Sequence, residues 1–289
     1  MKITQDLVWQ AIWPTVEKLI EATLAEDVAA VSPLLLPKSE AAAMFNLFGV
    51  TVFDIVLKTV LGRSRLAITR AIETENGKYV HVEFVWPDPE VEDNSYTAAD
   101  LVSVKLRRQR QAWRIAAVNP AAVDFPLTEA RAQGILVTSR VLNEQDKVPA
   151  EPWLLPVALF GGNLQIPLQA AAMRDGVEQL LLPGLQHRAY GVLSLIAGRQ
   201  LWRDFRASAK PVLTDPAGHA PWAAAVEFIM SEQTLREVTQ ASIAGHYEIS
   251  LTRLLPCVRQ IKSGLHIEGL DERYSALGST QIVLNNPAA

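Results

Sequence analysis

The chain has 289 residues, 49% hydrophobic and 20% charged, a composition that suits a globular protein with material for about two domains of ~100–200 residues each. No run of about 18 apolar residues offers a membrane span, and the opening MKITQDLVWQAIWP, with acidic Asp6, has no export-signal core. The single cysteine, Cys257, excludes an intrachain disulfide and fits a cytoplasmic location; the formal net charge of −4 is not that of a basic nucleic-acid-binding protein.

A first domain is expected over residues 1–125. Trp9, Ile12, Trp13, Val16, Leu19, Ile20 and Leu24 recur at helical spacing, with Pro14 marking a bend or a first turn. Asp27–Leu36 predicts a second short helix ended by Pro37. Ser39 caps a third, which runs to Gly62. The pattern then changes to period two, predicting strands at Ser64–Thr74, Lys78–Trp86, Ala98–Arg107 and Ala112–Val118, with a hairpin turn at Asn76-Gly77. Helices followed by an antiparallel meander define an α+β class. Alternation turns Leu66, Ile68, Ile72, Val80, Val82, Phe84, Trp86, Val102, Val104 and Leu106 toward the helices. His81, Glu83, Ser103, Lys105 and Arg114 then face away, solvated or at a subunit interface. Lys105, Arg107, Arg108, Arg110 and Arg114 form a positive hairpin tip, read first as solvated and second as a site for phosphate or an acidic partner.

The order of these elements, with AEDVAAVSPLLL near the start and AWRIAAVNP at the close, resembles the cystatin-like cone of the nuclear-transport-factor-two superfamily over residues 1–120. The resemblance implies a concave sheet able to hold a catalytic acid or base. Asp54, on the third helix, is the one acid placed to reach into it. The apolar sheet face offers no carboxylate or histidine, so a non-enzymatic, dimerising scaffold without a cofactor is expected.

Residues 126–167 read as a linker and crossing segment, with Leu127–Leu142 helix-like and Trp153–Pro167 a hairpin or an extended tie. A helical domain is expected over 168–275, with helices at Leu168–Leu182, ended by Pro183-Gly184, then Leu185–Ser208 and Pro221–Ser231. Arg199, Arg203, Arg206 and Lys210 share one helical stripe flanked by Trp202 and Phe205. Cations among aromatics suit phosphates or unpaired bases. With Asp204 in the same turn, a solvated face with its aromatics in the core is the first reading. The uncharged tail 276–289 contains a possible edge strand at Thr280–Leu284.

The most specific pattern is Thr239–Leu265. Thr239 caps a short helix whose apolar side holds Ile243, Ala244 and Tyr247; a corner follows, and Ser250 caps a second helix with Leu254, Val258, Ile261 and Leu265 on one face. The string resembles the helix-turn-helix of bacterial regulators and recombination-type proteins, written TQxxIAxxYGVSxxT. Thr239, Gln240, Ile243, Ala244, Tyr247, Ile249 (for Val) and Ser250 fit it. The five helices as a set also resemble the cyclin-type repeat of general transcription factors. Three features oppose DNA reading: Glu248 stands at the turn glycine, Pro256 should kink the second helix, and residues 216–289 carry 5 Lys/Arg against 7 Asp/Glu.

No GxGxxG, GxxxxGK[ST] or GxSxG occurs, and the five histidines have no ligand-spaced partner, so no metal or cofactor is expected. Cys257 reads as a buried, inert thiol. The first functional expectation is a non-enzymatic regulatory or scaffold protein, a homodimer that engages a protein partner and no membrane. The alternative is a nucleic-acid-binding regulator in which Thr252, Arg253, Arg259 and Lys262 approach DNA, with the Arg199–Lys210 stripe adding phosphate contacts. The third is a small-molecule binder or isomerase-like enzyme using Asp54.

Overall fold

The computed structural model describes residues 3–53, 67–74, 77–85, 102–120, 135–136, 166–211, 213 and 218–275. The chain divides into two units, Met1–Pro156 and Val157–Ala289, a division that falls within the expected linker. The architecture is α+β: an antiparallel sheet with helices before it, then a helical region.

In the first unit, α1 (Gln5–Leu7) leads through a widened π-helical turn (Val8–Ile12) into α2 (Trp13–Leu24), with Pro14 in the first turn of α2 just past the widened turn. Val8, Ile12, Trp13, Val16, Leu19 and Ile20 are buried, but Leu24 is exposed, the last turn burying Ala22 and Thr23 instead. Asp27 caps α3 (Val28–Val31) by accepting the Ala30 amide at 2.9 Å; a 3₁₀ turn follows at Ser32–Leu34. α4 (Glu40–Phe48) starts under Ser39, as expected. It stops well short of Gly62, because Gly49 takes a positive φ of 68° and breaks the spiral before residues 51–53 resume it.

The strands are β1 (Ala67–Thr74), β2 (Tyr79–Val85), β3 (Val102–Gln109), β4 (Ala112–Pro120) and the two-residue β5 (Ile135–Leu136), in the spatial order β4-β3-β2-β1-β5. Ile135–Leu136 lies inside the segment expected to be helical. Its strand conformation comes from pairing with the free edge of β1. On the other edge, Leu36 donates its amide to the Ile115 carbonyl at 2.8 Å, covering β4.

Alternation is interrupted by two bulges, one in β1 and one in the β3–β4 pair at Lys105/Leu106. The bulge between Ile68 and Arg70 shifts the phase of β1, so Ile72 stands opposite His81 rather than opposite Val80. One face therefore aligns Ala71, Val82, Val104 and Val118, all buried, and α2 and α4 pack on β4. The other face aligns Ile72, His81, Lys105 and Ala117.

In the second unit, Asp175 accepts the amides of Val177 and Glu178 and so starts α5 (Gly176–His187) eight residues later than Leu168. Pro183 does not end it. The helix runs through the exposed proline at the loss of one hydrogen bond and breaks instead at Ala189, φ 57°. α6 (Val192–Ala209) follows, then α7 (His219–Gln233), α8 (Gln240–His246) and α9 (Leu251–Leu265). α7, HAPWAAAVEFIMSEQ, is apolar nearly all round and occupies the centre, touching the other four.

Candidate functional site

Two helices joined by a short turn stand where the pattern places them, Gln240–His246 and Leu251–Leu265. Thr239 Oγ1 accepts the Ser242 amide at 3.1 Å, the Ile249 amide returns to the Ala244 carbonyl at 2.9 Å, and Glu248 takes φ 53°. The left-handed turn that glycine usually supplies is thus made by a glutamate, at a cost of about 1–2 kcal/mol. Glu248→Gly is expected to raise stability by about 0.5–1 kcal/mol, glycine's greater freedom in the unfolded chain cancelling the rest. A urea titration that places the variant midpoint below that of the native chain contradicts this. Ser250 holds the cap position with extended backbone, but its hydroxyl meets that of Thr252 at 2.7 Å instead of a backbone amide. α9 continues through Pro256, which lies on its exposed side.

α9 is amphipathic as its spacing predicts. Leu254, Val258, Ile261 and Leu265 are buried together with Cys257, whose thiol burial pushes up to about 11. The opposite side exposes Leu251, Thr252, Arg253, Pro256, Arg259 and Gln260. Arg253, Arg259 and Lys262 are the charged residues of this helix, and none of its residues is acidic. Lys262 is partly engaged, its Nζ 2.7 Å from Glu232 Oε2.

The Arg199–Lys210 stripe is disposed differently. Trp202 and Phe205 enter the core, as the first reading has it, but the cations beside them are not a free solvated row. Arg203 grips the fully buried Glu178, Nε to Oε1 at 2.6 Å and Nη2 to Oε2 at 2.8 Å, and also donates to the Ala172 carbonyl. Arg206 reaches Asp175 Oδ2 at 2.6 Å. Arg199 is 5% exposed, and burial, then the field of Arg203, lowers its guanidinium to about 10. Lys210 is exposed at the left-handed end of α6. The stripe is mainly a clamp from α6 onto the start of α5.

Burial works to raise the Asp175 carboxyl, but the Glu178 amide, the Arg206 guanidinium and the Trp202 indole outweigh it and hold the group below its usual range. A depressed folded-state pKa gives stability that is complete above the unfolded value of about 3.9 and is lost as pH falls through the folded value. The urea midpoint is therefore expected to drop as pH falls below about 4, with Asp175→Asn reducing that drop. An identical drop in the variant contradicts the assignment.

A second buried polar group anchors the helix-turn-helix. Glu227, on the central helix and fully buried, receives the Tyr247 hydroxyl at 2.7 Å on Oε2 and has Arg188 Nε 2.9 Å from Oε1. Tyr190 is buried beside it, its hydroxyl pushed up to about 12 by burial and the Glu227 charge, with Arg236 stacked 4.1 Å from the ring centroid. Burial and the same carboxylate raise the Tyr247 hydroxyl too. Gly184 makes room for this contact, since a Cβ there would stand 2.6 Å from the Tyr247 hydroxyl oxygen. Glu178 and Glu227 carry no spacing signal of their own. What could have found them is an isolated glutamate within an otherwise apolar helical run.

In the first unit, His81 and Ser103 are buried rather than solvated, with Nδ1 and Oγ 3.4 Å apart. Asp54 and the 276–289 tail lie outside the described residues, as does most of Leu127–Leu142. Among the described residues, no group of three His, Cys, Asp or Glu is placed to hold a metal, and no helix is long and apolar enough to cross a membrane. No protein-family model, curated protein or solved structure matches the chain.

Proposed function

We propose that residues 239–265 form the nucleic-acid-contacting element of a non-enzymatic regulatory protein, with the outer side of α9 presented to a duplex groove. The observation that carries this reading is a helix-turn-helix with its left-handed turn intact, whose second helix bears three cations and no carboxylate. Ser250, Thr252 and Arg253 stand at the start of that helix, where base edges are read; Arg259 serves a phosphate further along, and Lys262 does so on exchanging Glu232 for it. Because the Arg203 and Arg206 guanidinium groups are held by Glu178 and Asp175, the footprint is small. Fluorescence anisotropy with a labelled mixed-sequence duplex tests it. Two to three phosphate contacts predict binding that weakens about ten- to fortyfold between 50 and 200 mM salt. Absent or salt-insensitive binding contradicts the proposal.

One observation favours a second reading, association with a protein through the same side of the helix. Leu251 is 41% exposed and Pro256 shares its surface, an apolar strip that a duplex does not require. Leu251→Ser separates the two: duplex affinity is retained under the first reading, and partner binding is lost under the second.

A further inference from the structure

The first unit carries a groove of about 440 Å³ between its N-terminal helices and the tip of the β3–β4 hairpin. Positions 7, 11, 14, 15 and 18 supply one wall, a single stripe along α1, the widened turn and α2. The hairpin supplies the other. Arg108 stands directly opposite Trp113 across the strand pair, so both project from the same face of the sheet, and the two-residue connection Arg110-Gln111 closes the tip. Gln109 pairs with Ala112, fixing that register.

The chemistry of the lining is one-sided. Among the described residues of the lining, Lys18 and Arg108 are the cations on the groove's two walls, Arg114 pairs with Arg107 on the other face of the sheet, and none is a carboxylate. Thr15 and Gln111 add neutral hydrogen-bonding groups, and Trp113, largely buried, supplies an aromatic wall. A recess that gathers cations of one sign beside low-dielectric walls focuses potential and concentrates anions. Its volume lies within the roughly 300–1,000 Å³ of small-molecule sites.

We propose that this groove binds a small organic anion, a carboxylate or phosphate monoester on a flat apolar body. The anionic end lies between Lys18 and Arg108, and the body lies against Trp113. Phosphate and carboxylate heads share the chemistry that the cations recognise. The flat body is what the indole adds over a bare ion. The site is independent of the helix-turn-helix and of Asp54.

Titration calorimetry on the full chain tests it, with phenyl phosphate, benzoate, phenol and inorganic phosphate as probes. Phenyl phosphate or benzoate is expected to bind more tightly than either phenol or inorganic phosphate. Lys18→Glu with Arg108→Glu is expected to weaken that binding at least about tenfold, while Lys38→Glu, outside the groove, leaves it unchanged. Lys18→Met and Arg108→Gln, made singly, each weaken it about threefold or more and serve if the double variant does not fold. Native protein that binds neither aromatic anion overturns the proposal. So does inorganic phosphate bound as tightly as phenyl phosphate, or unchanged affinity in the charge-altered variants.

Discussion

Glu227→Ala is expected to lower the stability of the helical unit by about 3–5 kcal/mol, the usual consequence of removing one partner from a buried ion pair. Three groups lose their reason for being where they are. Arg188 keeps its charge with no carboxylate beside it, the Tyr247 hydroxyl loses its acceptor, and the field that raises Tyr190 disappears. Glu227→Gln should cost less than the alanine change, since the amide oxygen can still accept from Tyr247. Urea denaturation followed by circular dichroism measures the first effect. Spectrophotometric titration of the tyrosines measures the second, with Tyr190 expected to ionise at lower pH in both variants. An alanine variant within about 1 kcal/mol of the native chain would show that the pair contributes little. Because Tyr247 closes α8, the same substitution is expected to loosen the helix-turn-helix against α7, and amide exchange in 240–249 should quicken before that in α7.

Trp202→Ala is the other large loss, again about 3–5 kcal/mol. The indole is fully buried, its ring centroid lies 6.0 Å from those of Phe205 and Trp222, and its Nε1 donates to both oxygens of Asp175. Alanine leaves a cavity and removes one of the donors holding the residue that caps α5. Trp202→Phe should recover most of the packing but not the hydrogen bond, leaving a deficit of about 1–2 kcal/mol. Equal midpoints for the phenylalanine variant and the native chain would mean that the indole–carboxylate contact contributes nothing.

What could be read from the residues was periodic. Strand positions in β2 and β4, the Ser39 and Thr239 caps and the buried row of α9 all follow from side-chain spacing and short-range hydrogen bonding. Departures arose where the deciding contact was distant in sequence. Ile72 changed face because of a bulge, and Ile135–Leu136 became a strand because β1 offered an edge. Pro183 did not stop its helix: packing around it tolerates one missing hydrogen bond, and the real start is set by Asp175. The arginine stripe shows the same limit. Spacing placed Arg199, Arg203, Arg206 and Lys210 on one side of α6, but only the approach of α5 put Glu178 and Asp175 opposite two of them. Glu248 shows the reverse case, a residue poorly suited to a left-handed turn that is nonetheless held there by the two helices on either side.

The most direct measurement is duplex binding by the Arg253→Glu, Arg259→Glu double variant beside the native chain at low salt. Both residues are exposed on α9, so the fold should survive the change and far-UV circular dichroism should be unaltered. The account predicts that affinity falls by at least about tenfold and that the remaining salt dependence flattens. A folded double variant that binds the duplex as tightly as the native chain would contradict it, placing the nucleic-acid surface away from this helix.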